Sequence, residues 1–570
     1  MERKYNILVK LIISLLFTLG LMAYYHKHEP YPTGDGIEYI LTTEAFKNHG
    51  SSDIRITDYE SFKRDFLKHQ TWQANYKAAA FDEVEGFLRN KNSKSFGGFY
   101  RNNKGAVYGY HFVFYALVNV PARGLCALFG THPIRAFTYT NIVLWSLFFW
   151  LVLYLDKISW WTKGTVFIAL FLSGGIYYTT WSHPEVLTLV LLAISFLFLL
   201  RKNFSLSILL CALAALQNQP LVLLLPWIVF FAWIGKRSLF KEVLFNLALC
   251  TIVFVPAIYF YGLFGTTSLI KDAGFLSFSN ISGNRLWGFF SDLNQGMIIG
   301  LGFTLLIYPP LLIYRFLKAI KEKELSPWDL LPLFVLSMVL VVCSMSNWNH
   351  GMAIVNRYSV WIAVPIIFHI AQLLQTINSP LRSALLALSF LGQIFLLRLH
   401  TSYNLFDWSN LQHMPIAKWV LSNHPNWYNP DPQIFIARTN RVFDFSEKSS
   451  PVFFFDNQGK LKKIAVHENN IDTLKCFGYR NPEKQTFIMR RSGLEKWYYV
   501  NDFQEKTTFS TQRILWIIKV SEIKRTITEM QANPQWIAEL TIKAKANNIS
   551  LEQQMRKDAE FLYNQKYGIK

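Results

Sequence analysis

Charged residues are scarce in this chain: they make up 16% of its 570 residues, whereas 52% are hydrophobic. So little charge excludes an ordinary soluble globular protein, in which about a quarter of the residues are charged. The five cysteines show neither paired spacing nor a Cys-x-x-Cys motif, so no disulfide framework or thiolate metal site is expected. The sequence also lacks three common motifs: the Walker loop, Gly-x-Ser-x-Gly and the dinucleotide-binding glycine motif. No motif therefore indicates an ATPase, a hydrolase or a dinucleotide-dependent enzyme.

Long apolar runs are what the chain does contain. About 20 apolar residues cross the roughly 30 Å hydrocarbon core of a membrane, and the sequence predicts about eleven such helices between residues 7 and 398. Tyr24-Tyr25-His26-Lys27 offers no small-residue cleavage site, so the first run is predicted to be a retained helix. The predicted spans are 7–24, 136–155, 164–181, 185–200, 205–221, 220–235, 242–262, 296–314, 328–346, 359–376 and 383–398.

The basic residues between these spans are distributed unevenly. Fifteen Lys and Arg fall on one set of alternate linkers and three fall on the other. This is the positive-inside bias, which predicts a cytoplasmic N-terminus and an external C-terminal part. The bias explains the net charge of +20 without a nucleic acid as partner. Residues 108–130, interrupted by Pro121, are predicted to lie along the outer surface as an amphipathic or re-entrant segment.

The predicted fold class is an all-α polytopic membrane core of about eleven transmembrane helices, with a long first outer loop and a small α+β external C-terminal domain. The membrane core covers residues 1–398, including an outer loop with juxtamembrane helices at 25–135, and the external domain covers 399–570. No internal repeat is evident.

The external domain is predicted to contain strands followed by a helical tail. Alternating hydrophobicity in residues 433–443 predicts a strand, and turns at 456–459 and 491–493 predict strand pairs. Asn533-Pro534 and Ser550-Leu551-Glu552-Gln553 have the residues of helix starts, the second in the form of a capping box.

Two acids follow the first span directly. Asp35 lies in the turn-forming segment 30–36, and Glu38 lies three residues later in a helical pattern that ends at Gly50. The spacing predicts that both carboxylates share one face of this helix. A helix N-terminus also favours acids through its dipole alone, so a structural role is the alternative to a catalytic one.

Two more polar clusters are predicted on the same outer face. Ser182-His183-Pro184-Glu185 forms a tight turn between the third and fourth spans, where a titratable pair is costly unless it has a function. The alternative is a solvated turn in which Glu185 caps the next helix. The linker before the tenth span holds His350 and Arg357, and Arg357 is suited to bind a phosphate or an anionic headgroup. We therefore take His183, Glu185, His350 and Arg357 as candidate substrate-binding residues.

The chain resembles the glycosyltransferase C superfamily over most of residues 1–400. The segment GDGIEYILTTEAF resembles the acidic first-loop motif of the bacterial membrane mannosyltransferase and aminoarabinose-transferase branches. SHPEVLTLVL resembles the acidic second outer loop, and WNHGMAIVNRYSV is similar to a Gly- and Arg-containing segment late in the membrane core. The paired acids of that superfamily are adjacent or separated by one residue, whereas Asp35 and Glu38 are three apart, which leaves the role of Glu38 open.

The resemblance implies an inverting glycosyltransferase at the outer face of a bacterial inner membrane. Its members transfer a sugar from a polyprenyl phosphate donor to an acceptor, here a glycan, a lipid or a protein. By this resemblance Asp35 is the general base, with Glu38 as its positional partner, and Arg357 neutralises the departing phosphate. His183 and Glu185 then orient donor or acceptor. Membrane lipids and the polyprenyl-phosphate-linked sugar are the expected partners.

Two other functions stay open at this point. A transporter or flippase of a lipid-linked sugar is expected to carry ionisable groups near helix midpoints, where few occur and His369 is an exception. A non-catalytic envelope assembly protein would use the external domain to bind a partner. The candidate acids and histidines lack the His-x-x-x-His and His-Glu-x-x-His spacings of metal sites, so no cofactor is assigned and a divalent metal ion stays open.

Overall fold

The chain divides into two units, Met1–Asn410 and Leu411–Lys570. The computed structural model describes residues 2–28, 35–69, 78–236, 240–348, 355–400, 412–440, 451–471, 487–491, 495–501, 523, 526–527, 529–531 and 533–567. These residues are mostly helical, with two small antiparallel sheets. The boundary predicted after residue 398 falls inside the helix Ser379–His400, because that helix continues past the end of its apolar run.

The helices of the first unit are α1 Glu2–His26, α2 Gly36–His49, α3 Ile56–Leu67, α4 Ala78–Arg89, α5 Phe114–Leu128, α6 Arg135–Tyr154, α7 Trp160–Phe171, α8 Glu185–Leu200, α9 Phe204–Gln217, α10 Leu225–Lys236, α11 Phe240–Cys250, α12 Val255–Phe264, α13 Leu269–Asp272, α14 Gly283–Ser291, α15 Met297–Leu301, α16 Phe303–Leu306, α17 Tyr308–Glu322, α18 Leu331–Cys343, α19 Arg357–Gln375 and α20 Ser379–His400. Short 3₁₀ helices lie at Gly174–Thr180, Gln219–Leu224, Thr251–Phe254, Phe278–Asn280 and Pro327–Leu330. The strands of this unit are β1 Ser95–Phe96, β2 Phe99–Arg101 and β3 Val107–Gly109.

Six helical segments within the described residues are long and apolar enough to cross a membrane. They are Ile7–His26, Arg135–Tyr154, Lys241–Phe264, Phe303–Glu322, Arg357–Gln375 and Ser379–His400. Further apolar helices, such as α5, α8 and α9, are shorter. The chain is therefore a multi-pass membrane protein, as the sequence predicts, whereas the number of about eleven spans stays a prediction.

One of the predicted spans, 296–314, is interrupted at Gly302. This residue has a φ of 52°, in the left-handed region that side chains other than glycine rarely adopt. A Cβ added there would also lie 2.7 Å from Leu396 Cδ1. Glycine satisfies both constraints, and it separates the short helix α15 from the candidate span Phe303–Glu322, which contains α16 and α17.

Helices α8 and α19 form the centre of the first unit. They pack against each other, and most side chains of both helices are buried. A helix that is apolar on all sides is buried in a protein core or in lipid, and here the burial is by neighbouring elements of the protein. Glu185 begins α8 and Arg357 begins α19, so the N-terminal ends of the two central helices carry opposite charges.

The region between α1 and α6 contains α2 to α5 and the antiparallel sheet β1-β2-β3. Gly50 follows α2 with a left-handed φ of 72°, which confirms the predicted end of this helix. Helix α5 packs against α2 and α6. Its Leu125 and Leu128 are exposed while Arg123 is buried. Residues 114–128 of the segment predicted over 108–130 form this helix, and its placement along the outer surface of a membrane stays a prediction.

A buried ion-pair network joins three helices of this region. The Arg123 guanidinium donates to Glu44 at 2.7 Å and 3.1 Å and to Asp65 at 2.7 Å. Arg123 and Glu44 are 3% and 1% exposed, respectively. Because each charge has a hydrogen-bonded counter-charge, the network fixes α2 and α3 on α5 despite the cost of burying ions.

The second unit combines helices with a four-stranded antiparallel sheet in the order β4-β5-β7-β6. Its elements are α21 Pro415–Asn423, α22 Pro432–Asn440, β4 Val452–Phe455, β5 Leu461–His467, β6 Phe487–Arg491, β7 Glu495–Val500, α23 Pro534–Ala546 and α24 Leu551–Tyr567. The turn at 456–459 joins β4 to β5, and β6 pairs with β7, as the sequence predicts. Asn533 and Ser550 cap α23 and α24, which confirms both predicted helix starts.

The strand predicted over residues 433–443 is wrong for its described part. Residues 432–440 form α22, and residues 441–443 lie outside the described residues. Pro432 favours the first position of a helix. Every side chain from Gln433 to Arg438 is buried, so the apparent alternation of polar and apolar residues does not separate a solvent face from a core face.

Candidate functional site

The N-terminal ends of α2, α8 and α19 meet in the first unit. Asp35 precedes α2, Glu185 begins α8 and Arg357 begins α19. His183 lies in the turn just before α8. The structure thus brings together four residues that the sequence suggested as site residues, although they come from three distant segments of the chain.

The carboxylate of Asp35 is held by side chains from two other segments. The Tyr110 hydroxyl donates to Asp35 Oδ1 at 2.9 Å, and Arg357 Nη1 donates to Oδ2 at 3.1 Å. Asp35 makes no side-chain hydrogen bond to the N-terminus of α2, so it does not act as a helix cap. Burial raises the pKa of this carboxyl, but the positive charges of His111 and Arg357 outweigh burial and bring the pKa below its ordinary value.

Arg357 lies between Asp35, His183 and Glu185. Its Nη1 is 3.4 Å from His183 Nδ1, and its Nε is 3.8 Å from Glu185 Oε1. The Arg357 Nε and Glu185 Oε2 atoms are buried and have no hydrogen-bond partner among the described residues. Leaving a buried donor and a buried acceptor without partners costs free energy. A ligand in the adjacent cavity could supply both missing hydrogen bonds.

Residues before Arg357 fix the start of α19. The Asn356 side chain accepts a hydrogen bond from the Tyr358 N–H, and the Asn356 N–H donates to the Gln295 carbonyl at 2.6 Å. The Tyr178 hydroxyl donates to the Val355 carbonyl at 2.6 Å. These contacts hold the backbone of Arg357 on two neighbouring segments, so its guanidinium is positioned by the core.

Glu38 bonds to His111 and not to Asp35. Its Oε1 accepts the His111 backbone N–H at 2.7 Å, and its Oε2 is 3.0 Å from His111 Nδ1. The other imidazole nitrogen, Nε2, lies 3.9 Å from Asp35 Oδ2. Both acids therefore lie on one side of α2, as predicted, and an imidazole that the sequence analysis did not identify lies between them.

Burial and charge act in opposite directions on His111. Burial lowers its pKa, but the carboxylates of Glu38 and Asp35 favour the imidazolium, and the net pKa is raised above its ordinary value. The pKa of Glu38 is also raised, because its burial and the nearby Asp35 charge outweigh the attraction of His111. Glu38 and His111 therefore titrate as a coupled pair, in which the nearby carboxylates favour the charged form of the imidazole.

Two glycines make room for the Glu38 side chain. A Cβ on Gly98 would lie 2.7 Å from Glu38 Oε2, and a Cβ on Gly109 would lie 2.6 Å from Glu38 Cγ. These glycines belong to the turn before β2 and to β3. The small sheet of the outer loop thus approaches α2 closely enough to direct the Glu38 carboxylate onto His111.

A cavity of about 270 Å³ lies beside these groups. Its polar wall includes Tyr39, His111, Glu185, Gln217 and Arg357, and the rest of its lining is mainly apolar. Ligand pockets commonly combine an apolar lining with a few polar groups that orient the ligand. Asp35 and Glu38 do not line the cavity. Asp35 is instead hydrogen-bonded to two residues that do line the cavity, Tyr110 and Arg357.

Tyr39, Tyr110, His111 and Gln217 belong to the site in addition to the candidates chosen from the sequence. The Gln217 amide donates to the Tyr39 hydroxyl at 2.9 Å and accepts from the Tyr115 N–H at 3.1 Å. The Tyr39 ring stacks on His111 at 5.3 Å between centroids. A signal for Tyr110 and His111 was present, because residues 108–130 were predicted on the same outer face as Asp35. For Gln217, the sequence of residues 217–220 offers two interpretations, a helix-breaking turn, which is favoured, and amides that hydrogen-bond a hydroxyl-rich ligand.

His350, the remaining candidate, lies outside the described residues. Within the part of the chain that the structure describes, no group of three or more His, Cys, Asp or Glu side chains could hold a metal ion. Comparison with models of protein families, with curated proteins and with solved structures found no match. The residues of this site are therefore the only indication of function in the described part of the chain.

Proposed function

We propose that this protein is an inverting glycosyltransferase that moves a sugar from a polyprenyl phosphate donor to an acceptor hydroxyl at the outer face of a cell membrane. The observation that carries the proposal is the contact of Asp35 with both Arg357 and Tyr110 at the edge of a cavity. Such a site combines a carboxylate able to accept a proton with a guanidinium able to neutralise a phosphate.

The proposed reaction needs one base and one charge stabiliser. Asp35 takes the proton of the acceptor hydroxyl while the acceptor oxygen attacks C1 of the sugar on the face opposite the phosphate. The bond between C1 and the phosphate oxygen breaks, and its electron pair leaves with the polyprenyl phosphate. Arg357 stabilises the negative charge that develops on this leaving group. The configuration at C1 is inverted because a single displacement takes place.

His111 and Glu38 support this reaction in our proposal. Glu38 orients the imidazole through Nδ1, so Nε2 faces Asp35. The imidazolium keeps Asp35 ionised when Arg357 is recruited by the donor phosphate, since a positive charge then stays beside the carboxylate. Glu38 is thus a positioning residue that acts through His111. The resemblance instead suggests that Glu38 acts on Asp35 directly.

The cavity fits a substrate with a polar head and an apolar remainder. Glu185 Oε2 and Arg357 Nε are buried beside it without partners among the described residues, and a sugar phosphate offers hydroxyl donors and anionic acceptors to both. Its volume of about 270 Å³ is at the lower end of ligand pockets, which suits a monosaccharide unit rather than a long glycan. The proposal therefore assigns the cavity to the transferred sugar.

A radiolabelled polyprenyl-phosphate sugar tests the proposal directly. Purified protein is incubated with the labelled donor and a membrane extract, and label on the acceptor is measured for the unmodified protein and for Asp35→Asn. The variant preserves the shape of the side chain, and we expect turnover to fall by about 10²- to 10⁴-fold. Glu60→Gln, an exposed acid of the same loop that pairs with Arg89, is the control and keeps full activity.

Two outcomes would contradict the proposal. Equal labelling by the unmodified protein and Asp35→Asn would remove Asp35 as the base. Uptake of the labelled donor into vesicles without covalent transfer would show a transporter, because the sugar would then cross the membrane still linked to its carrier.

A further inference from the structure

A second group of polar residues lies far from the candidate site. It consists of Lys10, Lys157, Lys163 and Arg382 together with Trp160 and Trp161, and we call it the basic cluster. Helix α7 begins in this cluster and leads through the 3₁₀ helix Gly174–Thr180 to the turn that holds His183. With rises of about 1.5 Å and 2.0 Å per residue, these two elements cover roughly 30 Å, the thickness of the hydrocarbon core.

Helix α19 links the same two places independently. It begins with Arg357 at the candidate site and ends at Gln375, whose amide donates to Thr162 Oγ1 at 2.5 Å. Its 19 residues correspond to about 28 Å of helix. The basic cluster therefore lies about one membrane thickness from Arg357, at the opposite surface of the membrane core.

Within the cluster, cations and indole rings contact one another. The Lys163 ammonium is 3.9 Å and the Lys10 ammonium 5.9 Å from the centroid of the Trp160 ring. The Arg382 guanidinium is 5.5 Å from the Trp161 ring. Trp160 and Trp161 are 56% and 55% exposed. Half-exposed indoles are typical of the boundary between hydrocarbon and headgroups.

The positive charges of the cluster have no ion-pair partner within the described part of the chain. None of its four cations forms an ion pair among the described residues, and Asp156, the neighbouring acid, is exposed. Lys163 donates to the Leu155 carbonyl at 2.8 Å, and Arg382 Nε is buried without a hydrogen-bond partner in the described part of the chain. Like charges held near each other repel, so a bound anion would relieve the repulsion.

We propose that the basic cluster binds the headgroup phosphate of an anionic phospholipid. Arg382 and Lys10 supply the charge that attracts the phosphate, and Trp160 and Trp161 lie beside the upper acyl chains. Basic pockets between membrane helices are known to select anionic headgroups, with a contribution from each cation near the surface. This binding site is independent of the proposed transferase reaction, and it holds whichever function the outer site performs.

The test uses the purified full-length protein in a neutral detergent. Native mass spectrometry measures the binding of phosphatidylglycerol, which carries one negative charge, and of phosphatidylcholine, which is zwitterionic. We expect phosphatidylglycerol to bind preferentially to the unmodified protein. The double variant Lys10→Gln with Arg382→Gln is expected to lose roughly 25-fold in affinity, about fivefold for each cation.

Two further variants separate this site from a general effect of charge. Lys202→Gln with Lys241→Gln removes two basic residues of other linkers and is expected to leave phosphatidylglycerol binding unchanged. Arg382→Lys keeps the charge and is expected to retain most of the binding, which shows that the site still folds. Equal losses in both double variants would overturn the proposal. Displacement of the lipid by millimolar inorganic phosphate would also overturn it, because the site would then bind the free anion.

Discussion

Arg357 Nη1 donates a hydrogen bond of 3.1 Å to Asp35 Oδ2 across 322 positions of the chain. The two side chains are 14% and 24% exposed, so water screens this pair less than a surface ion pair. In the proposed reaction a donor phosphate competes with Asp35 for the guanidinium. As Arg357 moves to the phosphate, Asp35 loses one positive neighbour and becomes a better proton acceptor. Donor binding thereby activates the base.

Arg357→Gln is expected to raise the KM for the donor and to lower kcat together. Removal of one preorganised donor to a developing oxyanion costs about 10²- to 10³-fold in rate. Steady-state kinetics with the radiolabelled donor measure both constants. Arg55→Gln, an exposed arginine of the outer loop that pairs with Asp53, is the matched control. A normal KM and kcat in Arg357→Gln would exclude its role at the phosphate.

His111 is expected to produce an alkaline limb in the pH dependence of the rate. Because its pKa is raised, the imidazolium persists to higher pH than in an ordinary histidine and is lost as the pH rises through the raised value. Glu38→Gln removes the carboxylate that favours the imidazolium, so the limb moves to lower pH. His111→Gln is expected to abolish the limb. Rates of the three proteins between pH 6 and pH 10 test this, and an unchanged limb in Glu38→Gln would disconnect Glu38 from His111.

Gly109→Ala is expected to displace Glu38. The added methyl group overlaps the Glu38 side chain, and overpacking of this kind costs about 1–3 kcal/mol. The control is Gly86→Ala in α4, where a Cβ meets no atom within 4 Å and alanine favours the helix. Thermal unfolding in detergent measures stability, and the pH–rate profile reports on His111. Equal stability of both variants would show that Glu38 does not need this space.

Arg123→Met is expected to destabilise the outer loop strongly. The substitution leaves the Glu44 carboxylate, which is 1% exposed, without its guanidinium partner, although Lys47 still contacts it at 2.6 Å. Breaking a buried pair in this way costs about 3–5 kcal/mol. Arg89→Met, which removes a guanidinium from exposed ion pairs with Glu60 and Glu85, is the control and should change the melting temperature little. Similar melting temperatures for both variants would contradict a buried network.

A reporter fused after Lys570 tests the predicted topology. The positive-inside count over eleven spans predicts that an enzyme active only outside the cytoplasm will be active in this fusion. A fusion after Lys202, in a basic linker, should be inactive with the same reporter. The reverse pattern would invert the topology and move Asp35 to the cytoplasmic face.

The sequence alone determined those features that depend on local periodicity and on composition. Scarce charge and long apolar runs identified a multi-pass membrane protein, because hydrocarbon excludes charged residues over the whole length of a span. The end of α2 at Gly50 and the caps of α23 and α24 followed from residues that satisfy free backbone groups at helix ends. By contrast, the strand predicted over 433–443 was wrong for residues 433–440, since a helix that is buried on every side can show the same alternation of polar and apolar residues as a strand.

Only the tertiary structure decided how the site is assembled. The sequence suggested Asp35, Glu38, His183, Glu185 and Arg357, but spacing along a chain contains no information on which side chains meet across hundreds of residues. Packing of α8 against α19 placed Arg357 beside Glu185, and Asp35 at the start of α2 contacts the same guanidinium. The close approach of Gly98 and Gly109 directed Glu38 to His111, which gave the second acid a partner that its own helix could not supply.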